Sequence, residues 1–515
     1  MAHSKRTLLA VSIAAVLTSI TMTGCTEAPS GVQTTTSPTA TETTAVAVQT
    51  ESQRLATFFQ ESFDEDVSSS PIWQSYLGIK DDYDKWDDVS DAATQAEIDK
   101  ITARLAQSKT FDTSQLSAQE QLSLQIFQQD IERQLANDEF RHHVYIMHQF
   151  RAAHTFIPSF LINIHRINDI SDADAYIQRL HGVSAMFDQV IVQLRIREKL
   201  GVFPPKWAYD QMIQASNNVI SGNPFTQSEN DSTILADFTQ KLGALGLSQA
   251  EQASYLSKAN TALNKSVKPA YEKLIAELMK QRLLSPEGDG VWRLPDGDKW
   301  YQNRLEWFTT TDLNAEQVHQ IGVENVERIH AQMREIMAQV NFEGTLSEFF
   351  TFMRTDPQFY YPDSDQGRAD YMADAKAYID KMEAKIPEYF GLTPKAPMVV
   401  KRVEAFREQS AGKAFYQSPA VDGSRPGIYY ANLFDMKAMP TYQMEALAYH
   451  EGIPGHHMQR AITQELEGIP DFQKYASFTA YTEGWGLYTE ELGKDMGFYA
   501  DPYSDFGRLA MELWR

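Results

Sequence analysis

The sequence predicts a mainly α-helical protein with a small β-sheet late in the chain. Three features point to it. Apolar residues recur at helical spacing through most of residues 54–390, clusters of proline and glycine cut that run into separate helices, and β-rich stretches appear only after residue 395. With 43% apolar residues the chain has material for a large core. About 460 folded residues would by size alone make two or three domains. The expected division is a helical region over 54–395 and a C-terminal core over 396–515.

The first 25 residues read as an export signal rather than structure. Lys5 and Arg6 form a charged start, and residues 8–20 an apolar stretch of 13 residues, too short to span a bilayer comfortably. Met22-Thr23-Gly24-Cys25 looks like a bacterial lipobox, with small residues before the cysteine. Cys25 is the only cysteine in the chain, so neither an internal disulfide nor a cysteine zinc site is available. Lipid attachment at Cys25 is expected, holding the protein on a membrane at the bacterial cell envelope, outside the cytoplasm. Residues 26–53, rich in Thr, Ser, Ala, Val and Pro with few charges, read as a flexible tether. No later segment approaches the 18 or more apolar residues of a membrane span.

Amphipathic helices are predicted at 118–136, 173–200, 233–245, 263–284, 315–340 and 368–386. Breaks fall at Pro204-Pro205, at Gly222-Asn223-Pro224 and in the Pro286 to Gly290 stretch. Extended segments are predicted at 398–403, 414–417 and 427–433. The last of these is a candidate edge strand that could pair with a substrate backbone. Tyr429 or Tyr430 is then a candidate oxyanion donor, and alternation allows only one of them to face a site. Core aromatics in a strand are an equal reading. Arg425 either meets a substrate carboxylate or simply precedes the Pro426 turn.

The chemistry concentrates in His450-Glu451-Gly452-Ile453-Pro454-Gly455-His456-His457, which holds three of the chain's twelve histidines, and in Tyr481-Thr482-Glu483-Gly484-Trp485. Two imidazoles, a carboxylate ligand and a second carboxylate to move protons are the parts of a catalytic zinc site with a position left for water. In the common His-Glu-x-x-His pattern the histidines sit four apart on one helical face. Here the spacing is six or seven. Six helical residues turn about 600°, off the face of His450, and seven carry His457 roughly 10.5 Å along the axis, too far to share one ion. Pro454 and Gly455 resolve the conflict. Proline removes a helix hydrogen bond and pushes Ile453 from helical dihedrals, so a local distortion returns His456 towards His450. His456 is therefore preferred as the second ligand, with His457 as the alternative.

These two motifs, the second extended through Gly486-Leu487-Tyr488, resemble the DUF885 family of bacterial proteins. That family is similar to gluzincin peptidases, whose helical relatives include thimet-type oligopeptidases, angiotensin-converting enzymes and thermostable carboxypeptidases. The resemblance implies one zinc ion held by His450, His456 and Glu483, with Glu451 as general base. It also implies large helical lobes around a deep channel, with a small sheet next to the active-site helix, so that 396–515 would be the catalytic core. Family members usually continue past such a C-terminus into a segment carrying an Asp-Thr-Gly-x-His motif, which has no match here. The expectation is a C-terminally truncated chain, or one lacking part of the pocket, with Leu509, Leu513 and Trp514 partly exposed on a poorly buried final helix.

Loss of Lys5 and Arg6 with the signal takes the formal charge from −23 to about −25. So acidic a chain argues against nucleic acid and anionic headgroups as partners. His142, His143, His148 and His154 have no adjoining acid and unsuitable offsets, and read as partly buried or surface histidines. The expected function is a zinc metallopeptidase acting on short peptides. The alternatives are a non-catalytic lipoprotein that binds a ligand or partner, and a metal-dependent amidase or esterase on a non-peptide substrate.

Overall fold

Short polar side chains set most helix starts, and the computed structural model describes residues 49–150 and 152–515. The expected signal, its Cys25 and nearly all of the tether lie outside the described residues. Helix α1 (Glu51–Ser69) opens on a capping box in which Thr50 and Gln53 bond each other's backbone N–H. The tether expected to reach residue 53 thus gives way to helix at Glu51. Helices α2 (Pro71–Leu77), α3 (Asp91–Ser108) and α4 (Ala118–Asp138) follow, and Phe58, Phe59, Leu124 and Phe127 form a core between α1, α3 and α4.

The largest core belongs to α5 (Ala153–Asn163), α6 (Ile170–Lys199), α7 (Lys206–Val219), α8 (Thr233–Gly243), α9 (Gln249–Ala262) and α10 (Lys268–Leu284). Phe187, Tyr209, Phe238 and Tyr271 are fully buried at its centre. A π-turn over Leu263–Val267 joins α9 to α10, so the helix expected from residue 263 is already running from Gln249. Next come α11 (Gly297–Thr309), α12 (Ala315–Gln339), α13 (Leu346–Thr355) and α14 (Asp365–Lys385). Capping boxes start α4, α9, α12 and α13 as they start α1.

Three strands follow: β1 (Met398–Arg402), β2 (Ala414–Gln417) and β3 (Gly427–Ala431), in the order β1-β3-β2. β1 runs parallel to β3 and β2 antiparallel to it, with Tyr416 opposite Tyr429. This corrects the edge assignment for 427–433. β3 is the central strand, its residues are buried throughout, and no backbone on it is free to pair with a substrate. The free edges belong to β1 and β2.

The chain ends in α15 (Met444–Glu451), α16 (His456–Glu465), α17 (Asp471–Tyr475), α18 (Thr479–Asp495) and α19 (Pro502–Trp514). α17 packs back on α1, with Phe59 and Phe472 ring centroids 4.8 Å apart and Phe63 stacked on Tyr475 at 5.6 Å. Gln49–Arg515 is thereby one compact unit. α19 packs on α12 and α13. Of the residues expected to be partly exposed there, Leu509 is fully buried and Leu513 half-buried, while Trp514 is 90% exposed. Among the described residues no helix is long and apolar enough to cross a membrane.

Candidate metal centre

Every residue of α15 is buried, including Glu445, His450 and Glu451. Ala446, Leu447 and Ala448 pack into the surrounding cores, and Glu445 is satisfied by the Tyr449 hydroxyl and the Tyr499 backbone N–H, each at 3.0 Å. The helix stops at Glu451. Gly452 leaves helical dihedrals (φ −99°, ψ −120°), Ile453-Pro454 is a cis peptide, and α16 restarts at His456. Gly455 lies so close beneath α15 that a Cβ there would sit 1.9 Å from the His450 carbonyl oxygen. Trp485 fastens the break by donating its indole N–H to the Pro454 carbonyl at 2.8 Å.

The interruption brings the His450 and His456 rings to 4.6 Å between centroids, nearly perpendicular. α18 supplies the third member. Glu483 lies 3.5 Å from His450 Nε2 and 3.7 Å from His456 Nε2. Ligand atoms of His450, His456 and Glu483 all fall within 4.8 Å of one another, the one such grouping of three or more potential ligands among the described residues. The His142, His143, His148 and His154 group does not form one. His154 is in fact fully buried, which goes beyond the partly buried or surface position expected for it.

About two helical turns of spacing on α18 organise the cluster. Glu490, seven residues after Glu483, lies on the same helical face. Its carboxylate accepts from His450 Nδ1 at 2.7 Å, which leaves Nε2 pointing at Glu483. Gly486 lies between the two glutamates, and a Cβ on it would stand 2.6 Å from the His450 ring. Arg515 in turn holds Glu490 at 2.7 and 3.2 Å. Glu490 and Gly486 were not among the expected site residues. The Glu-x6-Glu repeat in a helix beside the motif is the signal that identifies them.

The site is asymmetric in charge. Burial works against protonation of His450, but its bonds to Glu483 and Glu490 prevail and raise its pKa to about 9. Burial, reinforced by repulsion from His450, lowers His456 to about 4. Burial raises Glu451 to about 7, with His450 pulling the other way and the Glu483 and Glu490 charges adding to the rise. Glu451 Oε2 is buried and has no partner. Glu483 is 57% exposed, so one side of the cluster opens to solvent. Two imidazole nitrogens, one carboxylate and an open side suit a zinc-type ion, and Glu490 behind His450 supplies the orienting carboxylate such ligands usually have.

His457 stands apart from this set. Its Nδ1 meets the Tyr416 hydroxyl at 2.9 Å and its Nε2 the Ala396 carbonyl at 3.0 Å, so both nitrogens are engaged elsewhere. Tyr429 and Tyr430 are 0% and 1% exposed. Tyr429 packs among Tyr371, Leu447 and Ala448, near enough to Glu451 to feel its charge, and Tyr430 stacks on Phe415. The residue of this sheet that reaches the site is Tyr416 on β2, between His457 and His456. Arg425 lines a cavity beside β2 rather than the His450, His456 and Glu483 cluster.

A helical protein whose two histidines flank a break after a fully buried helix, with a glutamate added from a neighbouring helix, is the class that fold and site define. The chain belongs to the family described as "Bacterial protein of unknown function (DUF885)", whose model matches residues 71–515. Among solved structures it is similar to the "putative lipoprotein from Colwellia psychrerythraea", at 26% identity and a TM-score of 0.84, over 91% of this chain and 82% of that one. It also shares its fold with a "putative lipoprotein of unknown function from Shewanella oneidensis", at 15% identity and a TM-score of 0.59, over 90% and 81% of the two chains. No curated protein matches it.

Proposed function

We propose that this protein is a zinc-dependent hydrolase that cleaves short peptides at the bacterial cell envelope. The observation that carries the reading is a three-residue ligand set within 4.8 Å, next in sequence to a buried carboxyl group whose Oε2 has no partner. His450, His456 and Glu483 would hold the ion. When bound, it supplies Lewis acidity and lowers the pKa of water. Glu451, buried beside His450 with an unpartnered Oε2, is suited to take a proton from the attacking water and deliver it to the leaving amine. Glu490 keeps the proton of His450 on Nδ1, so that Nε2 is the free nitrogen facing the cluster. The envelope location is supported by the Met22-Thr23-Gly24-Cys25 lipobox and by likeness to two chains described as lipoproteins.

The test separates assembly from chemistry. Purified protein is expected to carry about one zinc per chain, and His450→Ala to lose it. Glu451→Gln is expected to keep the metal and lose peptide hydrolysis by at least about 100-fold. Equal activity of Glu451→Gln and wild type would reject Glu451 as the base, and metal-free wild type would reject the centre.

A further inference from the structure

Beside the metal cluster lies a cavity of about 520 Å³, bounded on one side by β2. Residues 414 to 418 all line it in succession. Successive side chains of a strand point to opposite faces, so a strand lines a cavity with every residue only along its edge. β2 is an edge strand, paired on its other side with β3. Tyr416 connects this edge to the cluster, with its hydroxyl on His457 and its ring 6.4 Å from that of His456.

The lining is unusual for this chain. The protein has 69 acidic against 46 basic residues, yet the cavity wall contains Arg407, Arg425 and Arg460 and no acid. Arg407 is neutralised by Glu404. Arg425 and Arg460 are half-buried and take part in no ion pair among the described residues. Arg425 donates to the Ser418 carbonyl and Arg460 to the Ala476 carbonyl at 3.4 Å, which leaves most of each guanidinium's N–H groups unused. Burial lowers the pKa of both, and the groups that oppose it are tyrosines rather than carboxylates. The Gln417 side-chain nitrogen on the same wall is buried without a partner. Guanidinium groups withdrawn from water without a counter-ion are costly unless an anion completes them. The remaining wall is aromatic, with Trp73, Phe156 and Tyr475 among its members.

We propose that this cavity receives the C-terminal end of the peptide substrate, with its free α-carboxylate held by Arg425 and Arg460 and an apolar terminal side chain against the aromatic wall. The protein is then a carboxypeptidase-type enzyme that removes one or a few residues from the C-terminus. The inference rests on the peptidase reading above and adds its direction. In the step itself, water gives its OH to the scissile carbonyl carbon and a proton, through Glu451, to the leaving nitrogen as the C–N bond breaks. The amine product carries the carboxylate bound by the arginines. Planar guanidinium forks match a carboxylate in two-point geometry, which a neutral amide cannot reproduce.

The test uses N-acetyl-Ala-Ala-Phe as the free acid and as its C-terminal amide, with the zinc-loaded protein. Wild type is expected to cleave the acid with kcat/KM at least about 100-fold above the amide. Arg425→Gln and Arg460→Gln, which keep a donor for the backbone carbonyls, are each expected to lose about 10- to 100-fold on the acid and little on the amide. Equal cleavage of acid and amide by wild type overturns the subsite while leaving the peptidase. Binding of both peptides to Glu451→Gln is measured in parallel by calorimetry. Preferential binding of the acid without any hydrolysis by wild type upholds the subsite and rejects the peptidase reading. Failure of the acid to bind better than the amide, in the absence of hydrolysis, rejects the subsite. The wild-type comparison decides even where an arginine variant does not fold.

Discussion

Glu490 touches no expected ligand atom of the cluster, yet it controls the donor nitrogen of His450. Its carboxylate is 1% exposed and sits 2.7 Å from Nδ1. Replacing it by glutamine keeps the shape and removes the charge that strengthens this bond. Glu490→Gln is expected to weaken zinc binding about 10- to 100-fold, read by competition with a chelator. Unchanged affinity would mean that His450 is positioned by packing alone. At this scale the candidate cluster was largely legible in the sequence, because His450, Glu451, His456 and Glu483 lie in two short motifs. Tyr416, Arg460 and the surroundings of Arg425 were not, because tertiary packing alone brings them together. Glu490 is marked only by its seven-residue spacing from Glu483 on α18.

The broken joint between α15 and α16 is where an element, rather than a side chain, makes the site. An uninterrupted helix would separate His450 from His456, whereas the turn over 452–455 sets their rings 4.6 Å apart. The approach leaves no room for a methyl group at Gly455, where a Cβ would meet the His450 carbonyl oxygen at 1.9 Å. Gly455→Ala is expected to cost about 1–3 kcal/mol in urea unfolding and to weaken metal binding with it. A variant as stable as wild type would show that the joint can relax. Helices were readable from period and caps: the predicted 118–136 and 315–340 appear as Ala118–Asp138 and Ala315–Gln339. Strand order was not, since three short strands admit several arrangements. A clue was present in Gly427-Ile428-Tyr429-Tyr430-Ala431, which has no charged residue and no apolar-polar alternation, as suits a strand covered on both faces.

For the molecule as a whole, His154 links stability to pH. It is fully buried on α5, neither ring nitrogen has a partner, and its backbone carbonyl accepts from the Tyr271 hydroxyl at 2.6 Å. Burial, with a smaller contribution from nearby His148, lowers its pKa from 6.5 to about 3. Above pH 6.5 the ring is neutral folded or unfolded and no stability depends on it. As pH falls from 6.5 towards 3 the unfolded chain takes up the proton first, so folding stability is lost across that window. The loss is about 2 kcal/mol by pH 5. Urea midpoints of wild type should therefore fall between pH 7 and 5 by more than those of His154→Phe, and parallel curves would refute the assignment.

The cavity wall is drawn from distant stretches of the chain: Trp73 and Tyr76 follow α1, while Tyr475 closes α17. The seam between these regions includes the Ser123 to Gln473 bond, which spans 350 residues of sequence. Contacts so remote form late, after the local helices and after the loop between them has closed. The candidate ligands, all within residues 450–483, can assemble locally, but the chamber beside them waits for the two ends of the fold to meet. A nascent chain thus offers no finished chamber while it is still being made.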